Sequence, residues 1–270
     1  MQRAIAVLDS GVGGLTVVKE LMRQLPRERI CYFGDTARTP YGPRPAEEVI
    51  AFTRELVDYL VQYEPKMIVI ACNTATAVAL EDIRRRVGLP VVGVIEPGAR
   101  AAIELTNTGR IGVIGTEGTI KSGAYAAALR RLAPDIEVVG LACPTFVPLV
   151  ENGMFRSREA YRAVSEALQP LLRSEIDCLI LGCTHYPFLA APISEAMGGE
   201  VSLVHSAEET AREISSILRA RGQLSEEDVT PIHRFFCSGD PVKFHHIAND
   251  WLGDPIRLTP VVWQVPHIRA

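Results

Sequence analysis

The stretch that decides the fold is Met67 to Ala77, with the sequence MIVIACNTATA. A second stretch, Cys178 to Leu189, reads CLILGCTHYPFL and repeats its pattern of an apolar run, a small residue, a cysteine and small polar residues. An apolar run of this length, bounded by a turn signal, predicts a strand that is buried on both faces of a parallel sheet. Cys72 and Cys183 therefore fall at the carboxyl ends of two strands, which is the edge where open α/β sheets bind ligands.

Strands and helices alternate on both sides of these two stretches. Apolar runs at 4–8 and 30–33 predict strands before the first stretch, and runs at 111–114 and 136–141 predict strands before the second. The alternation predicts βαβ units with right-handed crossovers and parallel sheets covered by helices. Because about ten strands are many for one doubly wound sheet, two sheets with a cleft between them fit better.

Cap and turn residues predict several element boundaries. We expect Thr74 or Thr76 to cap the helix that runs to Val87. A strand at 91–94 should be closed by Glu96-Pro97-Gly98, where the chain crosses to the second domain. Residues 206–209 have the serine and glutamate of a capping box, and the proline-containing tail from residue 254 is expected to be irregular.

The composition is that of a water-soluble globular protein. The 270 residues are 47% hydrophobic and 22% charged, and a net charge of −4 argues against a nucleic-acid-binding surface. The apolar part of the N-terminus is too short for a signal peptide, and no apolar run approaches membrane length. The six cysteines are scattered without a CxxC motif, so we expect free thiols in a reducing cytoplasm.

Two thiols that face each other across one cleft would form an acid/base pair. Cys72 is followed by Asn73 and Thr74, and Cys183 by Thr184 and His185. Both cysteines precede helices, whose N-terminal field is expected to lower the pKa of each thiol from its ordinary value of about 8.5. A thiolate can then remove a proton from a substrate while the opposite thiol delivers one.

Asp9 and Ser10 end the first predicted strand at the same edge. The position of Asp9 fits two interpretations equally: a functional role, in which it orients Cys72 or binds an ammonium group, and a structural role as a helix cap. His185 lies two residues after Cys183 and is placed to supply or relay a proton there.

Other kinds of site fit the sequence less well. Gly11-Val12-Gly13-Gly14 lacks the third glycine of a dinucleotide fingerprint, because Thr16 stands at that position, and the 115–119 turn lacks the lysine of a P-loop. Cys178, Cys183 and His185 could be metal ligands, but a strand length separates the two cysteines and no second ligand pair is present. We therefore predict no metal and no cofactor.

Six motifs, taken together and in this order, resemble those of glutamate racemases, in the aspartate/glutamate racemase family. They are Leu8-Asp9-Ser10-Gly11-Val12-Gly13-Gly14, Pro40-Tyr41-Gly42, Ala71-Cys72-Asn73-Thr74-Ala75, the turn from Gly115 to Thr119, Phe146-Val147-Pro148-Leu149-Val150-Glu151, and Gly182-Cys183-Thr184-His185-Tyr186-Pro187. The resemblance extends from the first strand to residue 240, nearly the whole chain.

This resemblance implies an α/β fold with two flavodoxin-like parallel-sheet domains that are related by a pseudo-twofold axis. The first domain would comprise residues 1–97 and 207–270 and carry Cys72, and the second would comprise residues 98–206 and carry Cys183. The active site would lie in the cleft between them.

The resemblance also implies cofactor-independent interconversion of L- and D-glutamate, which supplies D-glutamate for peptidoglycan in the cytoplasm. Cys183 would deprotonate L-glutamate and Cys72 would deprotonate D-glutamate, assisted by His185 and Asp9 respectively, with Glu151 nearby. The residues that would hold the substrate are Asp9, Ser10, Tyr41, Gly42, Asn73, Thr74, Thr116, Thr184 and His185.

Three alternatives remain open from the sequence alone. Aspartate is the second candidate substrate, a ligand-binding or regulatory protein with this fold but without the reaction is the second class, and a nucleotide-dependent enzyme is the third. Glutamate is the expected partner, with no nucleic acid and no membrane, and the sequence leaves a homodimer undecided.

Overall fold

The computed structural model describes residues 3–226 and 230–253 and the backbone of 258–260, which together contain two parallel sheets. In chain order the strands are β1 (Ile5–Asp9), β2 (Ile30–Gly34), β3 (Met67–Ile70), β4 (Val91–Gly93), β5 (Arg110–Gly115), β6 (Glu137–Ala142), β7 (Cys178–Gly182), β8 (Ser202–Val204), β9 (Arg234–Cys237) and β10 (Leu258–Pro260). The first sheet has the order β10-β9-β2-β1-β3-β4, and the second has the order β6-β5-β7-β8. The prediction of an α/β fold with two parallel sheets is confirmed.

The same four-strand arrangement occurs in both sheets. The order β2-β1-β3-β4 in the first corresponds to β6-β5-β7-β8 in the second. This is the beginning of the flavodoxin-like order, in which the first strand is central. Late strands β9 and β10 extend the first sheet on the β2 side, so that sheet contains residues from both ends of the described chain.

Helices pack on the faces of the sheets, and loops follow the strands at the carboxyl edges. In chain order they are α1 (Leu15–Gln24), α2 (Ala46–Val61), α3 (Asn73–Arg86), α4 (Ile95–Leu105), α5 (Glu117–Ser122), α6 (Ala124–Leu132), α7 (Phe146–Glu151), α8 (Arg158–Leu168), α9 (Ala190–Met197), α10 (Ala207–Ala220) and α11 (Pro241–Leu252). Short 3₁₀ turns occupy 169–173, which contains Pro170 and directly follows α8, and 186–189.

Strand register places the two cysteines at equivalent points of the two sheets. Leu8 of β1 pairs with Ile70 of β3, so the two strands end side by side. Asp9 is the last residue of β1, and the segment that leads to Cys72 follows β3. Gly115 of β5 pairs with Gly182 of β7, and Cys183 follows directly. Every residue of β1, β3 and β7 is buried, as expected for central strands of parallel sheets.

The chain passes between the sheets at two adjacent segments. The predicted boundary at residues 97 and 98 falls inside α4, and that at 206 and 207 coincides with the start of α10. The two crossings touch, because a Cβ atom built on Gly98 would lie 3.2 Å from Cβ of Ser206. The exact division into domains stays a prediction.

The predicted cap of α3 is wrong. The helix begins at Asn73, and Cys72 itself is the N-cap residue, with extended backbone angles and a sulfur that accepts from the backbone N–H of Ala75 at 3.5 Å. Thr74 and Thr76 both lie within the first turn, and Thr76 donates its hydroxyl to the carbonyl of Ile70. The cysteine therefore has the place at the helix N-terminus that we had assigned to a threonine.

Three other local predictions also need correction. Ser206 has helical backbone angles and makes no side-chain cap, because its carbonyl accepts the Thr210 hydroxyl while its own hydroxyl does not reach the helix. Glu96-Pro97-Gly98 forms the first turn of α4 instead of closing a strand. Strand β10 interrupts the tail that we expected to be irregular, and residues 254–257 and 261–270 of that tail lie outside the described residues.

Candidate active site

The two cysteines lie where the carboxyl edges of the two sheets meet. The side chains of Cys72 and Cys183 are free thiols, with 5% and 6% of their surface exposed. Hydrogen bonds join the residues around them across the two sheets: Thr184 donates its hydroxyl to Oδ1 of Asp9 at 3.1 Å, and the hydroxyls of Thr74 and Thr116 are 2.8 Å apart. The structure therefore brings the predicted site residues of both sheets into one cluster.

The thiol of Cys72 is held in its protonated form. Burial and then the charge of Asp9 raise its pKa to about 12, while the N–H of Ala75 and the hydroxyl of Ser10 lower it by less. A smaller increase comes from the charge of Cys183, so the two sulfurs are close enough to act on each other. The predicted lowering of the pKa is wrong for Cys72 without a ligand, because desolvation outweighs the field of α3.

His185 links Cys183 to Glu151. Its Nδ1 lies 3.7 Å from Sγ of Cys183, and its Nε2 lies 2.6 Å from Oε1 of Glu151, which also accepts the backbone N–H of Val12. Burial lowers the pKa of His185, but hydrogen bonds and charges from Cys183 and Glu151 outweigh it and hold that pKa well above its ordinary value. The pKa of Glu151 is lowered overall: burial raises it, but the hydrogen bond from His185 and the nearby positive charges lower it by more.

Asp9 is fully buried and spans the two halves of the site. Its Oδ2 accepts the backbone N–H of Gly11, and its Oδ1 accepts the hydroxyl of Thr184. Burial raises the pKa of Asp9, while the charge of His185 and these hydrogen bonds oppose the increase. Of the three roles that we considered, capping α1 is not seen, since that helix begins after Gly14 without a side-chain cap.

The remaining lining consists of hydroxyl and amide groups. Thr74, Thr116 and Thr119 form a closed set of hydroxyl contacts of 2.8 to 3.2 Å, with Thr74 at the start of α3 and the other two at the start of α5. Asn73 accepts a hydrogen bond through Oδ1, while its buried Nδ2 has no partner among the described residues. Such a group is expensive to leave unpaired, so it is suited to a ligand acceptor.

A family model described as Asp/Glu/Hydantoin racemase matches residues 5–214. The chain belongs to this racemase family. Among its relatives are glutamate racemases of Oceanobacillus iheyensis, 56% identical over 92% of this chain and 91% of that one, and of Bacillus cereus, 55% identical over 95% of each. The resemblance to glutamate racemases that the six motifs indicate is thereby confirmed.

Solved structures of racemases in this family superpose over almost the whole chain. A glutamate racemase isoform from Bacillus anthracis gives a TM-score of 0.93 at 49% identity and covers 98% of both chains. The Francisella tularensis glutamate racemase, solved in complex with D-glutamate, gives 0.89 at 35% identity over 96% of this chain and 97% of that one.

In this member of the racemase family the hydroxyl of Tyr41 is engaged by a buried carboxylate. This hydroxyl donates to Oδ2 of Asp35, a buried carboxylate that also accepts from Arg38 and from Ser238. The hydroxyl of Tyr41 is thus already committed to Asp35, while its main chain lies beside Gly42. Gly42 approaches the second sheet so closely that a Cβ atom on it would lie 2.5 Å from Cβ of Thr116, and its carbonyl accepts the N–H of Gly118.

Two residues that contact the candidate site were missed from the sequence, Tyr125 and Thr119. Tyr125 donates its hydroxyl to Oδ1 of Asn73 at 2.7 Å, from a helix 52 residues further along the chain. A tyrosine in an amphipathic helix is ordinarily a core residue, so no local pattern distinguished it. Thr119 lay inside the 115–119 turn, but only the cap position Thr116 was selected.

A cavity of about 350 Å³ adjoins this cluster on the side of Glu151. It is lined by Val12, Pro40, Glu151, Lys243 and Phe244 among others, from loops of the first sheet and from helices α7 and α11. Glu151 therefore stands between this cavity and His185, which it binds.

Within the described residues, no group of three or more histidine, cysteine, aspartate or glutamate side chains is arranged to hold a metal ion. None of the helices in that part of the chain is both long and apolar enough to span a bilayer.

Proposed function

We propose that the protein interconverts L- and D-glutamate without a cofactor, with Cys72 and Cys183 acting as the two bases. The observation that supports this most directly is the meeting of two nearly buried thiols at the edges of two sheets, each beside its own ionisable partner. The glutamate racemases among the relatives support the choice of substrate.

In the direction from L- to D-glutamate, Cys183 takes the proton from Cα and Cys72 delivers one to the opposite face. The electron pair of the C–H bond moves onto Cα and its carboxylate, and the S–H bond of Cys72 breaks as the new C–H bond forms. In the other direction the two cysteines exchange roles. The two-sided geometry is what inverts the centre, because a single base would return the proton to the face it came from.

The neighbours of each thiol suit these roles. The protonated His185 can donate through Nδ1 to the sulfur of Cys183, while Glu151 holds the far side of the ring and stabilises its positive charge. Burial, and after it the charge of Asp9, raises the pKa of Cys72 and so favours the protonated thiol, and Asp9 can also meet the ammonium group of a bound amino acid.

The acidity of Cα is the harder part of the reaction, since a carboxylate stabilises a carbanion poorly. Donors fixed before the reaction stabilise the charge that develops on the carboxylate. Those available are the side chains of Ser10, Asn73, Thr74, Thr116 and Thr184, together with the main chain at Tyr41 and Gly42. The buried setting excludes water and keeps the thiols reactive.

In a bacterial cell this activity would supply D-glutamate for peptidoglycan, and we place it in the cytoplasm. Aspartate stays the alternative substrate, and a homodimer stays an undecided prediction.

The direct test follows solvent deuterium and handedness together. Purified protein, with chelator and without added cofactor or nucleotide, is incubated with L-glutamate in D₂O. We expect deuterium at Cα and decay of the circular dichroism signal to zero, and the same from D-glutamate. L-aspartate is assayed in parallel as the matched substrate. Glutamate binding without Cα exchange would instead indicate a binding protein, and dependence on added nucleotide would contradict the cofactor-free mechanism.

Glu151→Gln is expected to narrow the pH range of activity from the alkaline side. The change removes a charge and a charged acceptor that raise the pKa of His185, so the imidazolium is lost at a lower pH. The alkaline limb of kcat/KM should therefore shift down by about one pH unit or more. The measurement is the pH profile of kcat/KM, from pH 6 to 10.

Stability gives a second readout for the same variant. The pKa of His185 is higher in the folded than in the unfolded protein, so its contribution to stability is complete below the unfolded-state pKa and is lost as the pH rises through the folded-state pKa. The pKa of Glu151 is lower in the folded protein, so its contribution is present above the unfolded-state pKa of that carboxyl group. Glu151→Gln should thus lower Tm most between about pH 4.5 and 6.5. Glu166→Gln, on the exposed face of α8, is the control and should leave the profile unchanged. An alkaline limb that does not move would contradict the role of His185.

A further inference from the structure

Tyr125 is a buried tyrosine that touches both halves of the candidate site. It lies in α6, with 3% of its surface exposed, and its hydroxyl donates to Oδ1 of Asn73 at 2.7 Å. Asn73 directly follows Cys72, so this hydrogen bond reaches from the second sheet's helical layer to the segment that carries the first thiol.

The ring of Tyr125 fits against the segment that carries the other thiol. A Cβ atom on Gly182, the residue before Cys183, would lie 3.0 Å from Cε2 of the ring. A Cβ atom on Gly98, at the crossing between the sheets, would lie 3.2 Å from the Tyr125 hydroxyl. Any side chain at these two positions would press on the ring, so the two glycines leave the space that Tyr125 fills.

We propose that Tyr125 is a positioning residue, which fixes the carboxamide of Asn73 so that its Nδ2 points to a carboxylate of the substrate. The inference rests on the proposed function, because it assigns a role within that same site.

The argument is one of hydrogen-bond capacity. A carboxamide has one acceptor side and one donor side, and it can exchange them by a half-turn about its last bond. The Tyr125 hydroxyl, which burial keeps protonated by raising its pKa, occupies the acceptor side, Oδ1. This leaves Nδ2 as the side presented to a ligand, and Nδ2 is buried and unpaired among the described residues. A substrate carboxylate is the acceptor that this donor lacks.

Tyr125→Phe removes the hydroxyl and keeps the ring. The Asn73 carboxamide is then free to turn, and we expect KM for glutamate to rise about tenfold while kcat stays within about threefold, since the contact is made to ground state and transition state alike. Tyr63→Phe is the matched control: it also loses a tyrosine-to-side-chain hydrogen bond, here to Tyr59, and should leave KM unchanged.

A double-mutant cycle distinguishes positioning from simple packing. Tyr125→Phe, Asn73→Ala and the double variant are each made in a background of Cys72→Ala and Cys183→Ala, so that affinity for D-glutamate can be measured by calorimetry without turnover. If Tyr125 acts through Asn73, Tyr125→Phe weakens binding about tenfold alone and causes no further loss when Asn73 is already alanine.

Additive effects in this cycle, or a fall in kcat with unchanged KM, would overturn the inference, as would a loss of binding that follows a fall in Tm. The cycle reads binding only, so it can fail while the unmodified protein still racemises glutamate. Absence of glutamate binding by the unmodified protein would instead overturn the proposed function, and this inference with it.

Discussion

Replacing Cys72 with alanine lowers the rate of glutamate racemisation by about a thousandfold or more, and replacing Cys183 does the same. Each variant keeps one base and loses the group that delivers the proton to the opposite face. Because the enantiomers have equal free energy in solution, kcat/KM must fall by the same factor in both directions, whichever cysteine is changed. Circular dichroism of L- and of D-glutamate measures both directions in each variant.

Cys31→Ala is the matched control for these two variants. Cys31 is also a buried thiol of a parallel strand, with burial as the main cause of its raised pKa. It lies near the amino end of β2, however, whereas the site lies at the carboxyl ends of the strands. Its replacement should leave kcat/KM within about threefold, the change expected for a residue away from the chemistry. Full activity in a Cys72→Ala, Cys183→Ala double variant would end the two-thiol mechanism.

Gly13→Ala is expected to lower kcat/KM by about a hundredfold, although it adds only one methyl group. A Cβ atom at Gly13 would lie 2.4 Å from Oγ1 of Thr184 and 2.5 Å from Nδ1 of His185, far inside contact distance. Neither neighbour can move cheaply, since Thr184 is bonded to Asp9 and His185 to Glu151. The methyl group must therefore displace the imidazole from Cys183 or push the two sheets apart.

The control for Gly13→Ala is Gly88→Ala, where a Cβ atom would meet nothing within 4 Å. That variant should have the activity and Tm of the unmodified protein. Kinetics and thermal unfolding are measured for both, so that a folded but slow Gly13→Ala enzyme is recognised. A folded Gly13→Ala protein with full activity would show that the imidazole position in the structure is not the working one.

Much of the fold was predictable because its central strands are uninterrupted apolar runs. The stretch before Cys72 and the stretch before Cys183 are hydrophobic at every position, a pattern typical of strands in a parallel sheet that is covered on both faces. Cap positions were less predictable. Thr74 has a capping side chain, but the helix already begins at Asn73, and Ser206 stands at the start of α10 with helical backbone angles that leave its side chain without a capping bond. Such starts depend on packing that a local pattern does not contain.

The site was predictable where its residues adjoin the strand ends, and not where they come from elsewhere. Asp9, Cys72 and Cys183 could be predicted because open α/β sheets bind ligands at the carboxyl ends of their strands. Tyr125 instead contacts the site from a helix. The raised pKa of Cys72 could not be predicted either. The sequence indicates that a helix begins beside this cysteine, but it does not give the depth of burial, whose effect on the pKa is larger.

The order in which the strands are made has a consequence for synthesis on the ribosome. All four strands of the second sheet are complete when Val204 has been added, but β2 must wait for its neighbour β9, which begins at Arg234. Until then the first sheet has an open edge of the kind that pairs with other chains. Ser238, the partner of Asp35 beneath the Tyr41 loop, emerges later still. The nascent protein thus carries both thiols before the residue that tethers the loop beside them has been made.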